Sequence, residues 1–326
     1  MKRKNDIYLH LILIAFLAMT MLPFVFVVDN CFRTNSEMFH TYFGFPQSIT
    51  QMARFTWDEV AGKPEEIQLR IAADGVDVNE TRAAEIPLRQ VPYSQAMKYH
   101  WHRMTDAIAL AWRTLRPYMI NSLLVSITTV LGVILIASVT AYVFARYRFP
   151  GHRALFIAIL SFMMIPGILT LVPSFLLVKR LGLLDTYWAM ILPYIAGGQI
   201  LAIFLFKGFF DGLPQDLFDA AKIDGAGHFR IYWNIVLPLS KQIIAVVAVV
   251  NVLGTWNNFL WPFLVNPNGK HHLVASGLYL MSQSRINDNQ SAMFAAYTLA
   301  ALPLLILFIY ATKPFMAGVT SGAFKA

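Results

Sequence analysis

Six stretches of the chain, residues 7–28, 119–145, 154–178, 186–206, 242–265 and 292–312, contain no Asp, Glu, Lys or Arg. Each is long enough to cross a hydrocarbon layer of about 30 Å, which takes roughly 20 helical residues. Inside that layer every backbone polar group must be satisfied by the protein itself, and helices do so within one segment. These runs therefore predict an all-α polytopic membrane protein with six transmembrane helices. Composition agrees: 57% of residues are hydrophobic and 13% charged, against about 25% charged in a typical soluble domain. Pro23, Pro166, Pro173, Pro193 and Pro303 fall inside the runs and predict kinked helices around a pathway, with neighbours satisfying the freed carbonyls.

The first run follows Lys2-Arg3-Lys4. It is longer than the apolar region of about 7–15 residues in a signal peptide, and no small-x-small cleavage site follows it. Val28-Asp29-Asn30 before Cys31 also lacks the small residues of a lipoprotein site. A retained N-terminal helix over residues 1–28 is expected. The single cysteine excludes an intrachain disulfide or a cysteine-rich metal site.

Net charge is +8, but the basic residues sit beside the spans, which argues for anionic lipid rather than nucleic acid. With the N-terminus inside, Arg146, Arg148, Arg153, Lys207, Lys222, Arg230, Lys241, Lys313 and Lys325 also fall inside. Only Lys179, Arg180, Lys270 and Arg285 fall in the short outer loops. The excess of positive charge on one side places both termini in the cytoplasm of a multi-pass inner-membrane protein.

Residues 29–117 form a long extracytoplasmic insertion between the first two spans, and 118–326 the five-helix remainder. Ile67, Leu69 and Ile71 alternate with Gln68 and Arg70, which predicts a short strand, and Asp74-Gly75 predicts a turn. Met97, Trp101, Met104, Ile108, Ala111 and Leu115 recur at intervals of three and four, as on an amphipathic helix feeding the second span.

Between the fourth and fifth spans lies a polar loop, 211–241, holding Asp216, Asp219, Lys222, Asp224 and Arg230. Pro214 suits a helix start and Asp216 the positive end of its dipole. Leu217, Ala220, Ala221 and Ile223 then give an apolar side, and Gly225 supplies a left-handed stop. A second run with Phe229, Tyr232, Trp233 and Val236 on one face continues to Pro238, which ends or kinks it. Helices this short are marginal in water and need a surface to lie on.

Asp219-Ala220-Ala221, then Gly225, then Ile235 to Pro238 resemble the EAA loop of ATP-binding cassette (ABC) importer permeases, whose usual form is Glu-Ala-Ala, three residues, Gly, nine residues, Ile-x-Leu-Pro. Asp219 stands where Glu is usual. Two further stretches, Asn121-Ser122-Leu123 with Thr140-Ala141-Tyr142 and the turn from Arg146 to Gly151, and Thr255-Trp256-Asn257-Asn258-Phe259-Leu260-Trp261-Pro262, are similar to segments of the carbohydrate branch, in particular the second permease subunit of maltose-type systems. The resemblance implies a type I importer permease fold with a cytoplasmic coupling helix. It also implies partners: a second permease subunit, an ATPase dimer and an extracytoplasmic solute-binding protein. ATP and Mg are then expected on the ATPase, with no cofactor bound by this chain. It further implies ATPase docking by Leu217, Phe218, Asp219, Ala220, Ala221, Asp224 and Gly225, with Ile235, Leu237 and Pro238 ending the loop.

Catalysis finds little support. His10 is the only His, Asp, Glu, Lys or Arg within the spans, where an intramembrane enzyme or ion-coupled carrier would need polar machinery. His271-His272 have no third ligand near in sequence. The chain also lacks a GxxxxGK[ST] phosphate loop, so the work of uphill transport must enter through a partner. A carrier or channel working without ATP is the alternative. For sugar hydroxyls, Gln199, Trp256, Asn257 and Asn258 offer amides and aromatic faces; packing and helix–helix hydrogen bonding are the competing roles.

Overall fold

The structure is a computed structural model that describes residues 2–33, 37–38, 43–61, 67–70, 88–284 and 289–323. The turn expected at Asp74-Gly75 lies outside these residues, as do Arg285 and Lys325.

Among the described residues, four helices are long and apolar enough to cross a membrane, over Tyr8–Asn30, Tyr93–Arg146, Trp188–Asp211 and Gln290–Thr312. The helices that contain them are α1 (Lys2–Asn30), α3 (Tyr93–Arg146), α6 (Trp188–Asp211) and α13 (Gln290–Ala323). Two bent pairs raise the number to as many as six if each counts as one span.

The first bent pair joins α4 (His152–Ser161) and a short 3-10 turn at Phe162–Met164 to α5 (Gly167–Arg180), at 97°. The expected third span, 154–178, is thus not one straight helix: Ile165 is extended and Pro166, ahead of α5, cannot donate to the preceding turn. Pro23, Pro173 and Pro193 lie inside continuous helices, where a missing N–H costs only one bond.

The second pair joins residues His228–Leu239 to α10 (Lys241–Trp256), at 74°. The expected fifth span, 242–265, also breaks, because α10 stops at Trp256 and a separate α11 (Leu260–Val265) follows, with α12 (Val274–Ser282) after it. At the restart Asn258, one residue ahead of the N-cap Phe259, accepts the Trp261 N–H through its Oδ1 at 3.2 Å, and Pro262 sits in the first turn, where it needs no donor.

The chain divides into two compact units, Met1–Arg116 with Leu278–Leu302, and Pro117–Gly277 with Pro303–Ala326. In the first, the end of α1 packs on the start of α13. Phe26 meets Phe294 edge-on at 5.9 Å, Cys31 Sγ lies 3.0 Å from Thr298 Oγ1, and Ser291 donates to the Arg33 carbonyl. Buried Glu37 accepts the Gln47 N–H at 3.0 Å, placing an anion at the start of α2 (Gln47–Val60), where the helix dipole favours it.

The strand expected at 67–71 is β1 (Ile67–Arg70), paired antiparallel with β2 (Leu88–Val91) in register Ile67↔Val91. The amphipathic run after it is the first part of α3, continuous with the second span. Its buried stripe is Ala96, His100, Met104, Ala107, Ala111 and Leu115. This is rotated from the expected one, and Trp101 is exposed. Three alanines permit close approach on the buried side, which Trp101 would block.

Among its described residues, the second unit holds two separate apolar clusters. Near residues 183–191 and 261–274 the first includes Val125, Met190, Trp261, Val265 and Leu273. Hydrogen bonds close the loops there: Asn121 Nδ2 donates to the His272 carbonyl (3.0 Å), Tyr187 to Asn121 Oδ1 (2.8 Å), and the Val274 N–H to Ser122 Oγ (2.8 Å). Asp185, at φ 58, accepts from both the backbone and side-chain nitrogens of Asn268. The other cluster gathers Tyr142, Phe206, Phe210, Phe218, Ile231, Tyr232 and Val236 and carries the polar loop.

Candidate functional site

The polar loop is built as helix, turn and helix. After α6 ends, Pro214 (φ −56, ψ 132) leads into α7 (Gln215–Ile223), with Asp216 in the first turn and Lys222 in the last, both matched to the helix dipole. At the other end the Gly225 N–H donates to the Lys222 carbonyl (3.0 Å) and the Ala226 N–H to the Ala221 carbonyl (2.9 Å). This pair of bonds is a Schellman stop, and Gly225 adopts the φ of +72 it requires. The next run comprises α8 (His228–Ile231), a π-helical turn at Tyr232–Val236 and α9 (Leu237–Leu239). In the widened turn the Leu237 N–H bonds the Tyr232 carbonyl, five residues back. Pro238, which has no N–H, follows immediately, and the 74° bend comes beyond it.

Only part of the expected apolar side of α7 faces inward. Phe218 and Ala221 are buried, at 3% and 7% exposure, whereas Leu217 and Ile223 are exposed, Ile223 at 86%. The face expected on the second run also splits: Tyr232 and Val236 turn inward beside Ile231, while Phe229 (78% exposed) and Trp233 face outward, stacked at 6.0 Å and 9°. The helical period explains both results, since residues one apart point about 100° away from each other. The loop therefore has a packed inner face and an outer face carrying Leu217, Ile223, Phe229 and Trp233. Exposed apolar groups in such number mark a surface that something covers.

Of the remaining loop residues, Ala220, Asp224, Gly225 and Pro238 are exposed, and Ile235 and Leu237 are half-buried. Asp219 points into water, where Gln215 Nε2 donates to it at 3.0 Å and Lys222 Nζ stands 3.6 Å away. Both ion-pair partners are about half exposed, so this pair contributes little stability. Its carboxylate is held by its own helix and presented outward.

Sequence reasoning missed the residue that roots the loop. Arg146, the last residue of α3, donates through Nη2 to the carbonyls of Phe210 (2.5 Å) and Leu213 (3.1 Å). Through Nη1 it donates to Gln215 Oε1 at 3.2 Å, and its guanidinium carbon lies 3.8 Å from the Phe218 ring centroid. One fork thus joins the end of α3, the end of α6 and the first turns of α7. The sequence marked Arg146 as a basic residue opening a turn after an apolar run, and not as an anchor for the loop, because every partner is distant along the chain.

The candidate sugar ligands are scattered in role. Gln199 Nε2 donates to the Ile195 carbonyl at 3.1 Å, while its Oε1 is buried with no partner among the described residues. Trp256 is buried, Asn257 is exposed, and Asn258 Oδ1 is taken by the Trp261 N–H. Trp261 Nε1 donates to the Ala189 carbonyl at 3.0 Å, a packing anchor.

Residues 133–315 match the family model described as "Binding-protein-dependent transport system inner membrane component". The chain is 32% identical over 227 residues to the diacetylchitobiose uptake system permease protein NgcG of Streptomyces coelicolor, covering 69% of this chain and 75% of that protein. It is 34% identical over 231 residues to the maltodextrin transport system permease protein MdxG of Bacillus subtilis, covering 69% and 80%. It is also 28% identical over 255 residues to the sn-glycerol-3-phosphate transport system permease protein UgpE of Yersinia enterocolitica, covering 77% and 89%. Among solved structures, a chain of a bacterial ABC transporter involved in the import of the acidic polysaccharide alginate superposes with a TM-score of 0.65 at 16% identity, covering 95% of this chain and 96% of that one. That likeness concerns the fold.

Proposed function

Since this chain belongs to the family of binding-protein-dependent transport system inner membrane components, we propose that it is the permease subunit of a carbohydrate importer driven by a separate ATPase that grips the loop 211–241. The outer face of that loop carries the reading: a short helix, closed by Gly225 and rooted by Arg146, presents Leu217 and Ile223 to solvent, and the run after it presents Phe229 and Trp233. Leu217, Asp219, Ala220, Asp224 and Gly225 make the docking contacts, while Phe218 and Ala221 fix the helix from beneath. The names of NgcG and MdxG support a sugar or oligosaccharide as cargo.

The remaining parts follow from the same reading. Both termini and the loop lie in the cytoplasm, a second permease completes the pathway, and an extracytoplasmic binding protein delivers the sugar. ATP and Mg reside on the ATPase dimer, whose closure brings the docking loops together and shifts the population from inward-facing to outward-facing. Gln199, Trp256, Asn257 and Asn258 contribute polar and aromatic groups to the pathway.

A Cys31→Ser, Ile223→Cys chain, co-expressed with its ATPase, tests the reading by cysteine cross-linking. Capture of the ATPase is expected, together with loss of ATP-dependent uptake in Ile223→Asp. Uptake by proteoliposomes that lack any ATPase would overturn it in favour of a carrier or channel. Because Ile223 is 86% exposed, Ile223→Asp should change the stability of the isolated chain by no more than about 0.5 kcal/mol.

A further inference from the structure

The inner face of the loop enters the helix bundle at one polar point. Tyr232, in the π-helical turn, and Ser138, on α3, are both buried, at 4% and 1% exposure, and their hydroxyl oxygens are 2.7 Å apart. Ser138 spends its single proton on the Ile134 carbonyl one turn back. Tyr232 is therefore the donor and Ser138 Oγ the acceptor.

The Tyr232 ring is held by a row of aromatic contacts, to Tyr142 (5.4 Å), from Tyr142 to Tyr147 (6.1 Å), and from Tyr147 to His228 in α8 (4.9 Å). Packing alone does not call for the hydroxyl, because the surrounding residues, Phe206, Phe210, Ile231 and Val236 among them, would accept a phenylalanine ring equally well.

Apolar contacts slide past one another at little cost, whereas a buried hydrogen bond is directional and expensive to leave unmade. Ser138 lies eight residues before Arg146, about 12 Å along the helix axis. The loop thus holds α3 at two separated points, Arg146 at its beginning and Ser138 near its end. The π-helical turn that carries Tyr232 is a feature that recurs at functional sites.

Resting on the docking reading above, we infer that the Tyr232–Ser138 hydrogen bond is where displacement of the loop is passed to the transmembrane helix, with Tyr232 a positioning residue for transport. Without it the loop still docks and still moves, but its second run holds α3 only through apolar contacts, and the remaining polar hold is Arg146 at the very end of that helix.

The test uses the complete complex with its ATPase in lipid nanodiscs, trapped with ATP, Mg and vanadate, and reads hydrogen exchange by mass spectrometry. In the wild type, trapping should alter exchange in both 215–223 and 134–146. In Tyr232→Phe the change over 215–223 should persist while that over 134–146 falls several-fold, with exchange before trapping unaltered. Ser138→Ala should reproduce this, and the double variant should add nothing further.

A Tyr232→Phe complex that passes the full change to 134–146 overturns the inference. So does one whose exchange rises in both segments before nucleotide is added, which marks a purely structural bond. A wild-type loop that ignores trapping fails the docking reading first, and this inference with it.

Discussion

The guanidinium carbon of Arg146 stands over the ring of Phe218, 3.8 Å from its centroid, while its Nη2 donates to the Phe210 and Leu213 carbonyls. The contact seats α7. Phe210 lies in the last turn of α6 and Leu213 two residues beyond its end; the Phe210 carbonyl also accepts the Leu213 N–H at 3.2 Å, so the arginine adds a charged donor to this turn and pins the next helix in one step.

Replacing Arg146 with Ala should cost about 2 kcal/mol, the loss of a charged donor on two backbone acceptors. Arg146→Lys should recover little of it, since an ammonium lacks the planar fork and stacks poorly. Thermal unfolding of the two variants in detergent measures both values, and full recovery by Lys would reduce the contact to simple charge.

Gly225 sits at φ +72 with nothing within 4 Å of where a Cβ would be. Its requirement is therefore conformational and not spatial. Gly225→Val should cost about 1–2 kcal/mol and abolish ATP-dependent uptake while the chain still inserts. Gly225→Asn should retain most uptake, because asparagine tolerates the left-handed region. Equal loss in Val and Asn would show that side-chain bulk is what matters.

Gly198 answers to the opposite constraint. A Cβ there would collide with Asn251 Oδ1 and come within 2.8 Å of Val133 Cγ2, at the crossing of α6 with α3 and α10. Gly198→Ala should destabilise by about 1–3 kcal/mol. Adding Asn251→Ala removes the nearer obstacle, so the double variant should be more stable than the sum of the single effects. Strict additivity in a thermal-unfolding cycle would show that Asn251 yields freely.

The loop at Asn266–Leu273 should show a pH dependence through His272. Burial pushes its imidazole below the ordinary value, while the Asp185 carboxylate pulls the other way. The folded state therefore favours the neutral ring. Its contribution is complete above the unfolded value near 6.5 and is lost as pH falls through the lower folded value. Unfolding temperature should drop on acidification below about 6.5, and His272→Phe, whose ring keeps the stack on Phe263, should flatten that limb. An unchanged slope in the variant would assign the acid sensitivity elsewhere.

The helical class, the loop and its stop were legible from residue order because each rests on local chemistry. Spans without charge, Pro214 ahead of a helix and Gly225 after one state their roles within a few residues. The span limits were less legible. Residues 154–178 and 242–265 read as continuous apolar runs, yet the first bends at Pro166 and the second restarts at Asn258. Hydropathy reports solvent preference and does not register where a helix turns.

The membrane class, the approximate spans and the helix–turn–helix loop were thus determined by the amino-acid order alone, since burial in lipid and left-handed backbone impose rules on neighbouring residues. The tertiary structure alone decided that Phe218 faces inward and Ile223 outward, that Arg146 reaches Phe218, and that Tyr232 reaches Ser138. Those relationships join residues far apart in the chain, and only the packing of α3, α6 and the loop around one apolar cluster brings them within hydrogen-bonding distance.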